Sequence, residues 1–457
     1  MKVLWVCNLI LPEIAEQLGL PSLPKEGWIE GLLHGLLESK NAPEIMIAFP
    51  VPKEAGETAP GRAGVAHPEG EESGAAKRIR HRGKAYVGDT EIAWFGFRED
   101  TQHPEIYRKA LEQEMRDVLE LAQPDIVHCY GTEYPHTLAM ARAFGKPNHL
   151  LISIQGPISI YAQRYMAHLP ERVRGNVSFR DLIRHDSLAQ QQQDFLLRGE
   201  NEKKALTLTG HVAGRTFFDQ ALAKRWNQMA IYHLAGETLR GTFYEGSWER
   251  SEAQPGRIFI SQGDYPIKGL HYLLIAVGEL LRGADASQDL QIYVAGQDII
   301  RSDSLKDRLR RSAYANYLRE LILEYDLKER VHFLGRRNAE QMKEQYLKAN
   351  VYVCCSVCEN SPNSLGEAML LGTPVVAAAV GGIPSMLGSN EGWMYDCDVD
   401  STLDTIVQGL KDSLADALSQ PEEADRRAAR AKERARINHD PVRNRVQLEA
   451  IYGEMYS

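Results

Sequence analysis

The sequence predicts an α/β protein of two doubly wound, Rossmann-like domains facing each other across a cleft. Three observations predict it. Short apolar runs alternate with helical stretches along the whole chain, the pattern of parallel sheets flanked by helices. The pattern restarts after a polar, turn-rich segment, residues 246–256. A length of 457 residues suits two large α/β domains. In such sheets ligands bind outside the strand carboxyl ends, so the space between the domains is the expected site.

The apolar runs of the first half are KVLWVCNL, EIMIAFPV, AYVGDTEIAWFGF, DIVHCYG, HLLISIQG and HVAGRTFF. Those of the second half are RIFISQG, LQIYVAGQ, VHFLG, VYVCCSV and TPVVAAA. We expect one domain over residues 1–248 and a second over 257–435. The amphipathic terminal segment, 436–457, is expected to pack its apolar face back on the first domain. Within the first domain, residues 53–84 read as a mobile insertion, rich in Gly, Ala, Glu and Pro up to Ala76. A basic run from Lys77 to Lys84 closes it. Charge-balanced solvent exposure is the favoured reading of that run, and docking to an anionic membrane surface the alternative. Residues 164–204 are polar and helical in character, and 425–436 form a charged helix expected to expose its face.

Composition narrows the function. A net charge of −9 argues against nucleic acid as partner. No run approaches the roughly 18 apolar residues of a spanning helix, and MKVLWVCNLILPEIAE reads as a first strand rather than a leader peptide. A cytoplasmic protein is expected, peripheral at the inner face of the membrane if the basic run docks. Six cysteines are scattered. Cys355-x-x-Cys358 has no second pair at metal spacing, so reduced core cysteines are expected.

One stretch carries the chemistry. ENSPNSLGEAMLLGTPVVAAAVGGIP, from Glu359 to Pro384, follows a buried-strand pattern and opens onto a helix. The helix start presents unpaired N–H groups and the positive dipole end, suited to a diphosphate. Asn363 or Ser364 is placed to cap it. Glu367 is expected in the first turn, where a carboxylate can accept from a ribose diol, and Glu359 at the strand exit can accept from sugar hydroxyls. The plain alternative is a dipole-balancing Glu367 and a solvated Glu359. On residue chemistry alone the two stand even.

The spacing of Glu359 and Glu367, the surrounding Glu-x-x-Pro-Asn-x-Leu-x-Glu-Ala-Met, then Gly-Thr-Pro-Val-Val-Ala and Gly381-Gly382-Ile383-Pro384, resemble the signature of family-four retaining glycosyltransferases of the GT-B fold. VHFLG from Val331, Tyr346, Ala349-Asn350-Val351 and RIFISQGDYPIKG (257–269) resemble the same family in the same order. The resemblance spans roughly residues 257–400 and is weaker before them. It implies a metal-independent transfer without a resident cofactor, from a UDP- or GDP-linked sugar to a hydroxyl of a glycan or lipid-linked acceptor, as in surface-polysaccharide synthesis. It implies that Glu367 holds the ribose and Glu359 the donor sugar. It implies further that Lys268 neutralises the leaving diphosphate, that backbone amides of Ser364 and Leu365 take the distal phosphate, and that Gly335 and Arg336 lie near the base. By the same resemblance the departing phosphate is expected to deprotonate the acceptor, so no carboxylate nucleophile is required.

Three positions depart from the family. Gly263 stands where a second phosphate-binding arginine is usual, and Arg215, after HVAG, is a candidate substitute. Its alternative is a surface arginine paired with Asp219. Gln155 stands where a histidine is usual, while His128 reads as a satisfied core histidine. The glycine-rich loop is reduced to Gly27, in Lys25-Glu26-Gly27-Trp28, where backbone can still approach a phosphate. Two other functions remain open: a sugar-nucleotide isomerase, for which only Glu133 and Asp125 offer acid–base carboxylates, and a donor-binding homologue without catalysis.

Overall fold

The computed structural model describes residues 1–19, 27–51, 74–79, 81–166, 168–283, 289–301, 304–398 and 400–457. They pack as two units. Residues 1–159, 194–238 and 439–457 form the first, and 160–193 with 239–438 the second. Residues 160–193 and 239–248, expected from the sequence in the first domain, therefore pack with the second. The division at 193/194 falls inside one helix, Leu188–Thr207. Most of the insertion expected over 53–84, with Lys25, Glu26 and Arg80, lies outside the described residues.

The first unit is built on a sheet in the order β3-β4-β2-β1-β5-β6-β7-β8. Its strands are β1 (Lys2–Val6), β2 (Glu44–Val51), β3 (His81–Val87), β4 (Thr90–Arg98), β5 (Ile126–Tyr130), β6 (Leu150–Ser153), β7 (His211–Gly214) and β8 (Ile231–Leu234). The run read as AYVGDTEIAWFGF is a hairpin. Gly88 adopts φ +54° in the two-residue turn joining β3 to β4, so this edge pair is antiparallel, not parallel as the alternation implied. β5 and β7 are buried along their length, as central parallel strands covered on both faces must be. β8 escaped the sequence reading because IYHL is a half-exposed edge strand without a continuous apolar run.

Helix Pro441–Tyr456 closes this unit. Its Leu448, Ile451, Tyr452 and Met455 join Val3, Trp5 and Leu33 in one core, and the Trp5 indole donates to the Tyr452 hydroxyl at 2.8 Å. His128 lies mid-strand in β5, between the Tyr452 hydroxyl and Ser153 Oγ, both at 2.7 Å. Burial lowers its pKa to about 3, so it is a neutral core residue. In the basic run, Arg78 forms two bonds with Asp117 and Lys84 pairs with Glu91.

The second unit has the sheet order β11-β10-β9-β12-β13-β14, all pairs parallel. Its strands are β9 (Arg257–Ile260), β10 (Gln291–Val294), β11 (Val331–Phe333), β12 (Val351–Cys354), β13 (Val375–Ala378) and β14 (Trp393–Tyr395). The three-residue β14 was too short to read from sequence. Helix Pro421–Asn438 does not expose all its faces: Ala424, Ala428, Ala431 and Ala435 form a buried stripe at helical spacing. All six cysteines are buried and unbridged. Among the described residues no helix is long and apolar enough to cross a membrane.

Candidate active site

In the second unit the chain winds from β9 to β10 and β11 on one side, and from β12 to β13 and β14 on the other. The switch point lies between β9 and β12, and ligands in doubly wound sheets bind outside the carboxyl ends there. The loop leaving β9 and the loop leaving β12 are fastened together at that edge. Val357 N–H donates to the Ile267 carbonyl at 2.8 Å. The Cys355 thiol lies 3.4 and 3.3 Å from the carbonyls of Lys268 and Gly269. Gly269 adopts φ +70°, and a Cβ there would overlap the Cys355 carbonyl oxygen. This close approach explains the glycine after Lys268.

The fastening brings Lys268 to Glu359. Lys268 Nζ donates to Glu359 Oε1 at 2.6 Å, and Ser356 Oγ donates to the same oxygen at 2.7 Å. Both charged groups are largely buried. Burial opposes the Lys268 charge, but Glu359, Tyr265 and Tyr161 outweigh it and raise its pKa well above an ordinary lysine. The site therefore holds a fixed cation beside a carboxylate that keeps acceptor capacity on its other oxygen.

Helix Asn363–Leu371 starts one loop further on. Its N-cap is Pro362, and no side chain caps it, which corrects the expectation for Asn363 and Ser364. Both are already helical, and proline fixes the extended residue before them without offering an oxygen. Leu365 N–H donates to the Pro362 carbonyl at 3.0 Å, so the amide expected to meet a phosphate is engaged locally. The amides of Asn363 and Ser364 have no acceptor among the described residues. Ser364 Oγ accepts from the Tyr352 hydroxyl at 2.9 Å.

Glu367 is the fifth residue of this helix, not a first-turn residue. Its Cβ leans toward the helix start, so the carboxylate stays near that end. It is 3% exposed, and burial raises its pKa against the pull of Arg240 and Tyr346. Arg240 Nε and Nη2 both donate to Glu367 Oε1, at 2.9 and 2.6 Å, and the Tyr346 hydroxyl donates to Oε2 at 3.3 Å. The sequence reading missed Arg240. The signal was available: a glutamate one turn into the apolar helix NSLGEAMLL must meet a cation, because an unpaired buried charge is costly. The distance of 127 residues between them hid which cation.

Gly263 is packed rather than open. A Cβ there would come within 2.6 Å of Leu270 Cδ2 and 3.1 Å of Val294 Cγ1, so an arginine has no room without repacking. Gly335 follows β11 with φ +74°, and its carbonyl accepts from Gly296 N–H at 3.0 Å. That bond ties the carboxyl ends of β10 and β11, and Arg336 beyond it is exposed.

The remaining predicted residues belong to the first unit. Gly27 opens helix Gly27–Leu37. Arg215 follows β7 and ion-pairs with Glu237, and its Nη2 donates to Gln155 Oε1 at 3.2 Å. Asp219 accepts the backbone N–H groups of Arg215 and Thr216, at 2.8 and 3.1 Å, the second as the partner of the N-cap Thr216 in a capping box. His439 Nδ1–H donates to the Glu237 carbonyl at 2.8 Å, and burial, then Arg215, lowers its pKa to about 4.

Two α/β sheets wound in this way define the GT-B fold class, and solved structures match the whole chain on that basis. Sucrose-phosphate synthase from Thermosynechococcus elongatus superposes with TM-score 0.65 at 15% identity, covering 100% of this chain and 99% of that one. Anabaena HepE in complex with UDP-glucose superposes with TM-score 0.56 at 15% identity, covering 98% of each. Residues 247–434 match the family model of glycosyl transferases group 1. A D-inositol 3-phosphate glycosyltransferase of Corynebacterium efficiens is 30% identical over 189 residues, 41% of this chain. The chain spans about 40% of that relative's length.

Proposed function

We propose that the protein is a retaining glycosyltransferase that takes a sugar from a nucleotide-diphosphate donor to a hydroxyl of a glycan or lipid-linked acceptor. The observation that carries this reading is the Lys268–Glu359 pair beside the uncapped start of helix Asn363–Leu371. Lys268 and the Asn363 and Ser364 amides oppose the charge that grows on the leaving diphosphate. Glu359 accepts hydroxyls of the donor sugar and Glu367 the ribose. The bond from the anomeric carbon to phosphate breaks as the acceptor oxygen bonds the same face, and the acceptor's proton passes to the departing phosphate oxygen. Gln155 and Arg215 are carried as first-unit candidates for contact with the reacting sugar and phosphate, Gly335 and Arg336 for the base. UDP ranks first among donors, since HepE holds UDP-glucose, with surface-glycan assembly as the setting.

The isomerase reading loses support. Asp125 and Glu133 lie before and after β5, at its opposite ends, and the Asp125 carboxylate is held by Lys2 N–H at 2.7 Å. A thermal-shift screen with UDP, GDP, ADP and CMP and their sugar conjugates tests the proposal. One nucleotide is expected to raise the melting temperature by mass action, and Glu367→Ala to abolish that rise. Absence of a shift with every nucleotide would overturn it in favour of a donor-site copy without function.

A further inference from the structure

We infer that Arg240 is an exchangeable donor-site cation, held on Glu367 while the site is unliganded and transferred to the diphosphate when a nucleotide binds. The inference rests on Glu367 being the ribose carboxylate.

The counting starts at Glu367. A carboxylate offers about four lone-pair sites. Three are taken, two by Arg240 and one by the Tyr346 hydroxyl. A ribose diol brings two hydroxyls, so at least one present donor must let go. The Tyr346 ring is fully buried and packed edge-on against Phe259 and Phe243, which leaves its hydroxyl little freedom. Arg240 is the partner that can move. Its side chain is 16% exposed and its guanidinium lies 4.7 Å from the centre of the Phe243 ring, a face along which a planar cation can pivot.

The geometry also shows what Arg240 can do once released. Both of its bonds go to one oxygen, Oε1, rather than in the two-oxygen fork that satisfies a carboxylate best. Two of its five N–H groups are used, and about three remain for another acceptor. Any hydroxyl that reaches Glu367 Oε1 arrives beside this cation. The ligand part that follows the ribose is the diphosphate, and the second unit has room for only one cation, Lys268, in the loop after β9, because Gly263 is closed by Leu270 and Val294. Arg240 supplies the second charge from another direction. Binding of the diol and binding of the phosphates are then linked: the diol costs part of an ion pair, and the phosphates restore it.

Calorimetric titration of the full chain with UDP and uridine, and in parallel with GDP and guanosine, tests this in wild type and Arg240→Gln. In wild type the diphosphate should bind far more tightly than its nucleoside. In Arg240→Gln the diphosphate should weaken about ten- to a hundredfold, while the nucleoside binds as before or more tightly. Equal weakening of both ligands would mean that Arg240 only holds Glu367 in place, and no weakening of either would mean it has no part; both overturn the inference. Arg240→Lys keeps the charge without the fork and should recover part of the diphosphate affinity, and it serves where Arg240→Gln fails to fold. A wild-type chain that binds neither diphosphate overturns the donor-site reading itself, and this inference with it.

Discussion

In both sheets the chain reverses its winding between two central strands, β1 and β5 in the first unit, β9 and β12 in the second. At the first reversal the polar groups satisfy one another. The Glu133 carboxylate takes the Gly156 N–H at 2.8 Å and the Asn8 amide at 3.2 Å. Asn8 Oδ1 meets His136 at 3.0 Å, and His136 meets Glu99 at 2.6 Å. A Cβ on Gly131, at φ +94°, would overlap Glu133, so the cluster is closed down to the backbone. At the second reversal Lys268 and Arg240 are each set on one carboxylate oxygen, and two helix amides have no acceptor among the described residues. The same topology serves as a scaffold in one unit and keeps unspent donors in the other. A closed polar cluster adds rigidity; an open one can receive charge.

The largest effect expected from this contrast is on turnover. Lys268→Ala should lower it by about 10²–10³-fold, the usual range for removing one donor to a developing anion. It also strands the buried Glu359, which costs about 3–5 kcal/mol of stability. The double variant Lys268→Met/Glu359→Gln should regain stability but not turnover. Glu133→Gln, which removes the charge at the closed reversal, should change turnover by less than about threefold. Steady-state transfer assays with thermal unfolding in parallel decide it. A loss for Glu133→Gln as large as for Lys268→Ala would end the distinction between scaffold and site.

A second consequence concerns acid. Four histidines of the first unit have lowered pKa values, each mainly through burial: His128 to about 3, His439 to about 4, His211 and His233 by direction. A folded-state value below the ordinary 6.5 means the unfolded chain takes the proton first. Stability is present above pH 6.5 and lost as pH falls toward 3–4. At pH 5, His128 and His439 should each cost about 2 kcal/mol. Hydrogen exchange should therefore show first-unit strands opening before second-unit strands as pH drops from 7 to 5. Replacing His128 with Gln, which keeps two polar ends, should flatten the acid limb. Simultaneous opening of both units would show that they do not differ in this way.

How much could be read beforehand follows the same division. In the second unit, RIFI, VYVC and VVAA are short buried strands and QIYV alternates buried with half-buried residues, and Glu359, Lys268 and Glu367 sit within motifs of fixed spacing. Local sequence therefore carried most of the residues of the proposed site. What it did not carry were relations across the chain: Arg240 on Glu367 is a contact between distant segments, and the closure of Gly263 depends on Leu270 and Val294. The Pro362 cap was missed because Asn and Ser are the stronger capping residues by propensity, and here the chain had already turned helical at Asn363. In the first unit, Arg215 was legible as a residue after a strand, yet its partner, Glu237, lies beyond the next strand. Residues 160–193 carry no composition signal that would assign them to the second unit.

Arg215 offers the smallest and sharpest test. Its charge is matched by Glu237, which is itself 4% exposed, and its Nη2 is spent on Gln155. A cation so engaged has less to give a phosphate than Arg240, which keeps about three N–H groups in reserve. Arg215→Lys preserves the ion pair with Glu237 and removes the planar fork that reaches Gln155. Diphosphate affinity by calorimetry should then change by less than about threefold, while any effect on turnover would report on Gln155 and its neighbours. A tenfold loss of diphosphate affinity in Arg215→Lys, with Arg240→Gln unaffected, would move the second phosphate cation to the first unit. The closed and open reversals would then exchange roles, because the charge missing at Gly263 would come from the unit whose own polar groups looked spent.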